Sequence, residues 1–355
     1  MYSYEQLHTF AKKIFVAIGH TEALATQAAD TLISADLRGV DSHGIARLKG
    51  YVRLWEADRI NASPNIHIIH ETPSTATIDA DASLGLISGP EGMRVAIEKA
   101  KQVGTGWVSV KNSNHYGIAG YHSMMALEED MIGISLTNAS PLVAPTFGKE
   151  RMLGTNPISV AIPTLHETPF IADMATTTAA NGKLEVLQRK KQDAPLGWIQ
   201  DEDGTPTTNS HGVKEGGALL PLGGDREHAS HKGYILGSIV DIFSAVLSGA
   251  NYGPWVPPFV SFMDPVSDPV GQGLGHFFGA MRVDAFRPKE DFLKHMDQWV
   301  ARFRQTTPIH PDVPVQIPGD YERGMEAERS KNGIPVLQAV IDDLNELGNK
   351  FGVTL

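Results

Sequence analysis

The sequence predicts an α/β fold. Three observations carry that prediction. The first 60 residues read as helices, a run of strands alternating with helices follows from residue 75, and the tail closes with one more helix. Alternation of the two periodicities is the mark of an α/β domain. At 355 residues the chain suits one large domain or two to three interleaved ones. A chain of that length buries about three-quarters of its surface on folding.

Each element has its own signal. Ser3 can cap a helix with Gln6 at the third position, and Leu7, Phe10, Ala11, Ile14, Phe15 and Ile18 follow at helical spacing. A second helix runs from about Glu22 to near Gly39, and a third begins just after Ser42 and carries Leu48, Tyr51, Val52 and Trp55. Ala76 to Ile78, Trp107 to Val110, Ile132 to Leu136, Ile158 to Ile162 and Phe170 to Ala172 read as strands. Glu91 to Lys101 and Ile118 to Glu128 read as helices between them. The turn-rich residues 197–230 look like a surface excursion. His231 to Leu247 is helical, with Ile235, Ile239, Ile242, Phe243 and Val246 on one face. The Gly- and Pro-rich stretch 249–274 is expected as a mobile loop. Phe277 to Val283 reads as a last strand, and Pro288 opens an amphipathic helix. A Pro-rich connector (308–318) leads to a closing helix at about Val336 to Leu347.

Composition excludes several classes of function. The formal charge of −11 argues against nucleic acid or an anionic membrane as the main partner. An anionic substrate must therefore be drawn in by local cations. With no cysteine there are no disulfides, thiolate zinc sites, iron–sulfur clusters or Cys nucleophile. No H-E-x-x-H pair occurs among the 14 histidines, so nothing calls for a catalytic metal. The first residues show no signal peptide, and the apolar stretch Tyr234 to Leu247 is too short and too polar to span a bilayer. A cytoplasmic location is the expectation.

Chemistry could sit in several places. In Asp41-Ser42-His43-Gly44, consecutive side chains point apart, so no hydrolase triad can form from them. With Ser42 near a helix N-cap, His43 and Arg47 lie one turn apart, a proton-handling imidazole beside a carboxylate clamp. The residues alone leave open a plainer reading, a helix cap with a buried polar His and a surface Arg. The segment Lys111 to Gly120 follows a strand and opens a helix, where ligands of α/β folds collect. Gly154 to Pro157, Asp173 to Thr177, Lys183, His231-Lys232-Gly233 and Pro318 to Arg323 are rich in small hydrogen-bonding or charged groups. Taken singly, each reads more readily as structural than as functional. The dinucleotide fingerprint G-x-G-x-x-G is absent, since Gly271-Gln272-Gly273-Leu274-Gly275-His276 has His276 in the last position and follows no strand. There is no P-loop and no G-x-S-x-G elbow.

Read together and in order, Asp36 to Gly39 with Ser42-His43-Gly44 and Arg47-Leu48, Asn112 to Tyr121, Gly154 to Pro157, Asp173 to Ala175, His231 to Tyr234 and Pro318 to Asp320 span almost the whole chain. In this pattern the sequence resembles the type 2 malate/L-lactate dehydrogenase family, which also holds ureidoglycolate, sulfolactate, diketogulonate and cyclic-imine reductases. The resemblance implies a non-Rossmann malate/L-lactate dehydrogenase-type fold with a mixed-sheet cofactor domain. It places a helical part formed by the two chain ends (1–70 with 306–355) against an α/β part at 71–305. It implies a homodimer acting on a small 2-hydroxy/2-oxo acid with NAD as cofactor, NADP being the alternative. His43 would be the proton donor and acceptor with Ser42 in support, and Arg47 the carboxylate grip, with Thr155 and His115 also at the substrate. The segments holding the cofactor would be His115, Tyr116, Gly117, Ile118 and Ala119; Asp173, Met174 and Ala175; His231 and Lys232; and Gly319 and Asp320. Lys183 stands where imine-reducing members resemble one another in having Asp, which points to hydroxy-acid chemistry, with Lys183 stabilising charge on the reacting oxygen. Leu274-Gly275-His276 departs from the family pattern and looks like an addition, and Arg282 sits where an apolar residue is expected. The rivals from other classes are a non-catalytic small-acid or nucleotide-binding protein, and a hydrolase built on Ser42 or Ser113.

Overall fold

A computed structural model describes residues 1–355. Three helices open the chain: α1 (Tyr4–Ala17), α2 (Glu22–Leu37) and α3 (Leu48–Glu56). Ser3 and Gln6 cap α1 reciprocally, and Thr21 caps α2 by accepting from the Leu24 N–H. Then come β1 (His67–Glu71), β2 (Thr75–Asp79), α4 (Gly85–Val103), β3 (Thr105–Ser113), α5 (Ala119–Met124), β4 (Met131–Thr137), β5 (Ile158–Ile162) and β6 (Phe170–Met174). The second half holds α6 (Asn181–Lys190), β7 (Ile199–Gln200), β8 (Pro206–Thr207), β9 (Ala218–Leu219), α7 (Ser230–Asp241), β10 (Leu274–Arg282), α8 (Lys289–Arg304), α9 (Asp320–Asn332) and α10 (Gln338–Phe351).

The main sheet is mixed and seven-stranded, in the order β1-β2-β3-β10-β4-β5-β6. Only β2 and β3 run parallel, joined by the α4 crossover, and every other pair is antiparallel. Helices from both chain ends share one core, in which Leu7, Phe10, Ile14 and Leu32 meet Ile334, Val340, Leu344 and Leu347. A second core lies between α4 and the sheet and includes Val108, Val110 and Phe278. Short strands β7 to β9 form a separate sheet over a small third core, so residues 197–230 are more ordered than a surface excursion.

Several elements differ from the sequence expectation, each for a physical reason. Helix α4 starts at Gly85 and carries Pro90 inside it, although the sequence placed the start after that proline. Pro90 has no N–H to offer the Leu86 carbonyl, and the Thr31 hydroxyl of α2 donates to that carbonyl instead, at 3.1 Å. Strand β1 is an exposed edge strand with no alternation to read. Helix α9 buries only Arg329, so it shows no apolar stripe. Its Glu326 pairs with Arg38 at 2.9 Å and its Arg329 with Asp41, which ties it to the N-terminal helices. Leu274, Gly275 and His276 are buried at the start of β10. Arg282 ends that strand at the surface and pairs with Asp284 at 2.7 Å.

The topology brings the loops that matter to one edge of the sheet. Because β10 runs against both β3 and β4, its first residues lie beside their last ones. Likewise Met174, ending β6, pairs with Ile158, opening β5.

Candidate active site

The N-terminal helices approach that edge through the turn at residues 41–44. Ser42 does not cap a helix. Residues 45–47 form a single 3₁₀ turn with no side-chain cap, and His43 precedes it. The turn is shaped from below by Asp36, whose buried carboxyl accepts from the Ile45 N–H at 2.6 Å. Gly44 leaves room for it, since a Cβ there would fall 2.1 Å from the Asp36 Cγ. His43 and Arg47 therefore meet across a turn rather than along a helix.

The turn makes its own contacts. Ser42 Oγ lies 2.8 Å from His43 Nδ1, leaving Nε2 without a partner in the protein. Arg47 Nε donates to the Ser42 carbonyl at 2.5 Å, and its Nη2 lies 3.4 Å from Glu185 of α6. Burial and then the neighbouring Arg47 charge hold the His43 pKa down at about 4. The His43 ring stacks on His115, with centroids 5.5 Å apart and planes 21° apart. Tyr51 Oη is 2.7 Å from His115 Nδ1, and the Gly117 N–H points at the same nitrogen from 3.4 Å. Two donors aimed at Nδ1 assign the ring proton to Nε2. Burial holds His115 neutral as well, well below the usual histidine range.

Two cavities meet at His43. A chamber of about 70 Å³ is lined by His43, Arg47, His115, Thr155, Asn181, Gly182 and Phe259 among others. A larger cleft of about 450 Å³ is lined by His43, Gly117 to Gly120, Thr155, Asp173 to Ala175, Thr177 to Ala180 and Lys183. Thr155 and His43 belong to both. Along the cleft, Asp173 accepts from the Gly120 N–H at 2.7 Å, and any Cβ at Gly120 would sit 2.7 Å from the same oxygen. Burial raises the Asp173 pKa to about 6. Arg38 and Glu322 complete the cleft wall. Lys183 is exposed, with its Nζ 5.8 Å above the Trp198 ring.

Of the residues singled out in the sequence, the structure brings together Ser42, His43, Arg47, His115, Gly117, Ile118, Ala119, Thr155, Asp173, Met174, Ala175 and Lys183. Others lie outside both cavities. Tyr116 is buried in the second core with its hydroxyl on Ser135. His231 and Lys232 start α7, where His231 faces Arg226 at 3.1 Å. Gly319 opens α9. The Asp320 carboxylate accepts from the Ile317 N–H and pairs with Arg304 and Arg323 at the start of that helix. Ser113 does meet a histidine, His276, at 2.7 Å, but both are fully buried, which removes the hydrolase reading at Ser113. Sequence reasoning missed Asp36, Gly182, Phe259, Arg38 and Glu322 as site residues. Asp36 and Arg38 sit within Asp36 to Gly39, Glu322 within Pro318 to Arg323 and Gly182 beside Lys183, whereas nothing in the irregular 249–274 stretch marks Phe259.

The malate/L-lactate dehydrogenase family model matches residues 2–345 of the chain. A malate dehydrogenase of Pyrococcus horikoshii is 43% identical over 351 residues, covering 98% of this chain and 95% of that protein. An L-sulfolactate dehydrogenase of Methanocaldococcus jannaschii is 36% identical over 348 residues, covering 97% of this chain and 96% of its own length. The crystal structure of a malate dehydrogenase from Entamoeba histolytica superposes with a TM-score of 0.92 at 36% identity, over 99% of this chain and 98% of that one.

Proposed function

Because the chain belongs to the malate/L-lactate dehydrogenase family, and is accordingly a dehydrogenase, we propose that it transfers a hydride between a nicotinamide cofactor and a small 2-hydroxy/2-oxo acid. Malate/oxaloacetate and L-lactate/pyruvate are the proposed pairs. The observation that carries this reading is the placement of His43 and Thr155 where a small chamber bearing Arg47 meets a long cleft.

The cleft fits a dinucleotide in kind. It exposes the backbone of Gly117 to Gly120 at a point where a side chain on Gly120 would collide with Asp173, and the Gly117 φ of +82° suits glycine. The residues that would hold the cofactor are Gly117 to Gly120, Asp173 to Ala175 and Thr177 to Ala180. When bound, a nicotinamide supplies the hydride acceptor or donor. Glu322 on the cleft wall makes no ion pair, which favours ribose hydroxyls over a 2′-phosphate and so NAD over NADP.

The protein's own groups divide the remaining work. Arg47, braced by the Ser42 carbonyl and Glu185, takes the substrate carboxylate through paired hydrogen bonds. His115, with its proton on Nε2, donates to a substrate oxygen. In the oxidative direction His43 Nε2 takes the hydroxyl proton while Ser42 Oγ holds the other nitrogen. A carboxylate on Arg47 cancels one of the two causes that depress His43, moving it toward the range where a general base works best. Holding the reactants in place can supply roughly 7–11 kcal/mol of the barrier. General acid–base catalysis adds a factor of roughly 10²–10⁴. Lys183, at the cleft wall, offsets charge developing on the oxygen.

A homodimer is part of the same reading. The apolar face of α7 and the turn after it points outward, with Ile235 at 52%, Ile242 at 50% and Leu247 at 60% exposure. An uncovered face of this kind marks a partner surface, and the proposed partner is a second copy. No helix is long and apolar enough to cross a membrane.

The test follows NADH and NADPH absorbance with oxaloacetate, pyruvate, 3-sulfopyruvate, oxalurate, 2,3-diketogulonate and a cyclic imine acid. Consumption of NADH with oxaloacetate or pyruvate supports the proposal. Consumption with the imine alone overturns it in favour of an imine reductase.

A further inference from the structure

A third hollow, of about 410 Å³, opens beside the reaction chamber between α3, residues 259–262 and α10. Arg47, Phe259 and Val260 line both spaces. These three residues therefore stand between the two spaces.

The Phe259 ring is held from several sides. It is 9% exposed, with its centroid 4.7 Å from His115 and 5.2 Å from Tyr51. It belongs to no helix or strand, so polar contacts fix its backbone instead. The Phe259 N–H donates to Ser140 Oγ at 2.8 Å, and its carbonyl accepts from Arg53. The Pro258 carbonyl accepts from Arg59 at 2.7 Å. Neither arginine makes an ion pair with a carboxylate, so two guanidinium groups are committed to two successive carbonyls. From below, Gly50 of α3 makes room for the ring, since a Cβ there would come within 2.6 Å of its Cζ.

We propose that Phe259 is the specificity-determining wall of the substrate site, and that it excludes 2-oxo acids with a bulky group on C3 by separating the reaction chamber from the outer hollow. The proposal rests on reading the chamber as the substrate site. At roughly 10–15 Å³ per water-sized group, 70 Å³ holds about five to seven such groups. That is enough for a carboxylate, C2 with its oxygen and a methyl-sized remainder such as that of pyruvate. A branched or aromatic remainder needs the space behind the ring. Cutting Phe259 back to Cβ joins chamber to hollow while leaving Arg47, His43 and His115 in place.

The experiment compares kcat/KM for pyruvate with that for 4-methyl-2-oxopentanoate and phenylpyruvate. The proteins are the wild type, Phe259→Ala and Phe259→Leu, with Tm recorded for each. The bulky-to-small ratio is expected to rise at least tenfold in Phe259→Ala and less in Phe259→Leu, chiefly through KM for the bulky acids. If the alanine variant does not fold, the leucine variant decides. Parallel decline for all substrates, with the ratio unchanged, overturns the gate and leaves Phe259 a packing residue. Wild-type protein that uses phenylpyruvate as well as pyruvate also overturns it. Wild-type protein inactive on every 2-oxo acid marks the failure of the functional reading itself, and the gate falls with it.

Discussion

Gly182→Ala should damage a helix position that alanine ordinarily improves. Gly182 is the second residue of α6, where exchanging Gly for Ala gains up to about 1 kcal/mol from helix propensity alone. Here a Cβ would lie 2.7 Å from the Ser42 Cβ and 3.1 Å from Arg47 Nη2. Ordinary van der Waals contact begins near 3.4 Å, so Ser42 or α6 must retreat by about 0.7 Å. Overpacking of this kind costs about 1–3 kcal/mol, more than the propensity gain, so Tm should fall by a few degrees. The activity loss should be larger. Ser42 Oγ holds His43, and the Ser42 carbonyl holds Arg47. A displacement approaching 1 Å in such a group can lower turnover about a hundredfold. The assay is kcat/KM with NADH and oxaloacetate or pyruvate beside a thermal melt, with Gly324→Ala as the control. Gly324 lies inside α9 with nothing within 4 Å of a Cβ, so its alanine variant should gain about 0.5–1 kcal/mol with activity unchanged. Wild-type kcat/KM and a raised Tm in Gly182→Ala would refute the close approach of α6 to the Ser42 turn.

Three further outcomes follow from the same geometry. Arg47→Lys should raise KM for the acid about tenfold or more while leaving kcat less affected, because an ammonium cannot reproduce the paired grip; steady-state kinetics decides. Asp36 has its pKa raised from 3.8 to about 8, chiefly by burial. The folded state thus keeps a proton that the unfolded chain releases, so this group's contribution is full below pH 3.8 and is lost as pH rises toward 8. Asp36→Asn cannot ionise, so urea melts should show it gaining on wild type across pH 4 to 8. At about 1.4 kcal/mol per pH unit the ceiling is on the order of 6 kcal/mol, and a pH-independent difference would contradict the assignment. Ile239→Lys, on the exposed α7 face, should shift the protein toward monomer in analytical ultracentrifugation, whereas an unchanged dimer would place the interface elsewhere.

How much of this was legible in the sequence depended on what holds each element. Elements stabilised by their own apolar pattern were readable: α1 with its Ser3–Gln6 box, and β3, β4 and β5 with their buried runs. Elements held by long-range polar contacts were not. Helix α9 is polar on nearly every side and depends on partners almost 290 positions away, Arg38 and Asp41. The α4 start needed Thr31 to serve the carbonyl that Pro90 abandons. In the site, His43 and Arg47 were visible as residue types, but their meeting across a turn follows from Asp36 beneath it and Gly182 beside it. Phe259 carries no local signal at all. Its role comes from Ser140, Arg53 and Arg59 converging on its backbone from distant positions. His231, Lys232 and Asp320 stand apart from the cleft lining, in contacts with Arg226 and with Ile317, Arg304 and Arg323, so their proposed part in cofactor binding rests on motif position alone.

The most direct test is made at His43. The measurement pairs turnover of the preferred 2-oxo acid with NADH affinity from nucleotide fluorescence, for wild type and His43→Ala. Loss of the general acid–base group should lower kcat/KM by roughly 10²–10⁴, while NADH binds within about twofold of wild type, because the cleft from Gly117 to Ala180 is left intact. Near-wild-type turnover, or a loss that merely follows collapsed NADH binding, would contradict His43 as the proton-handling residue.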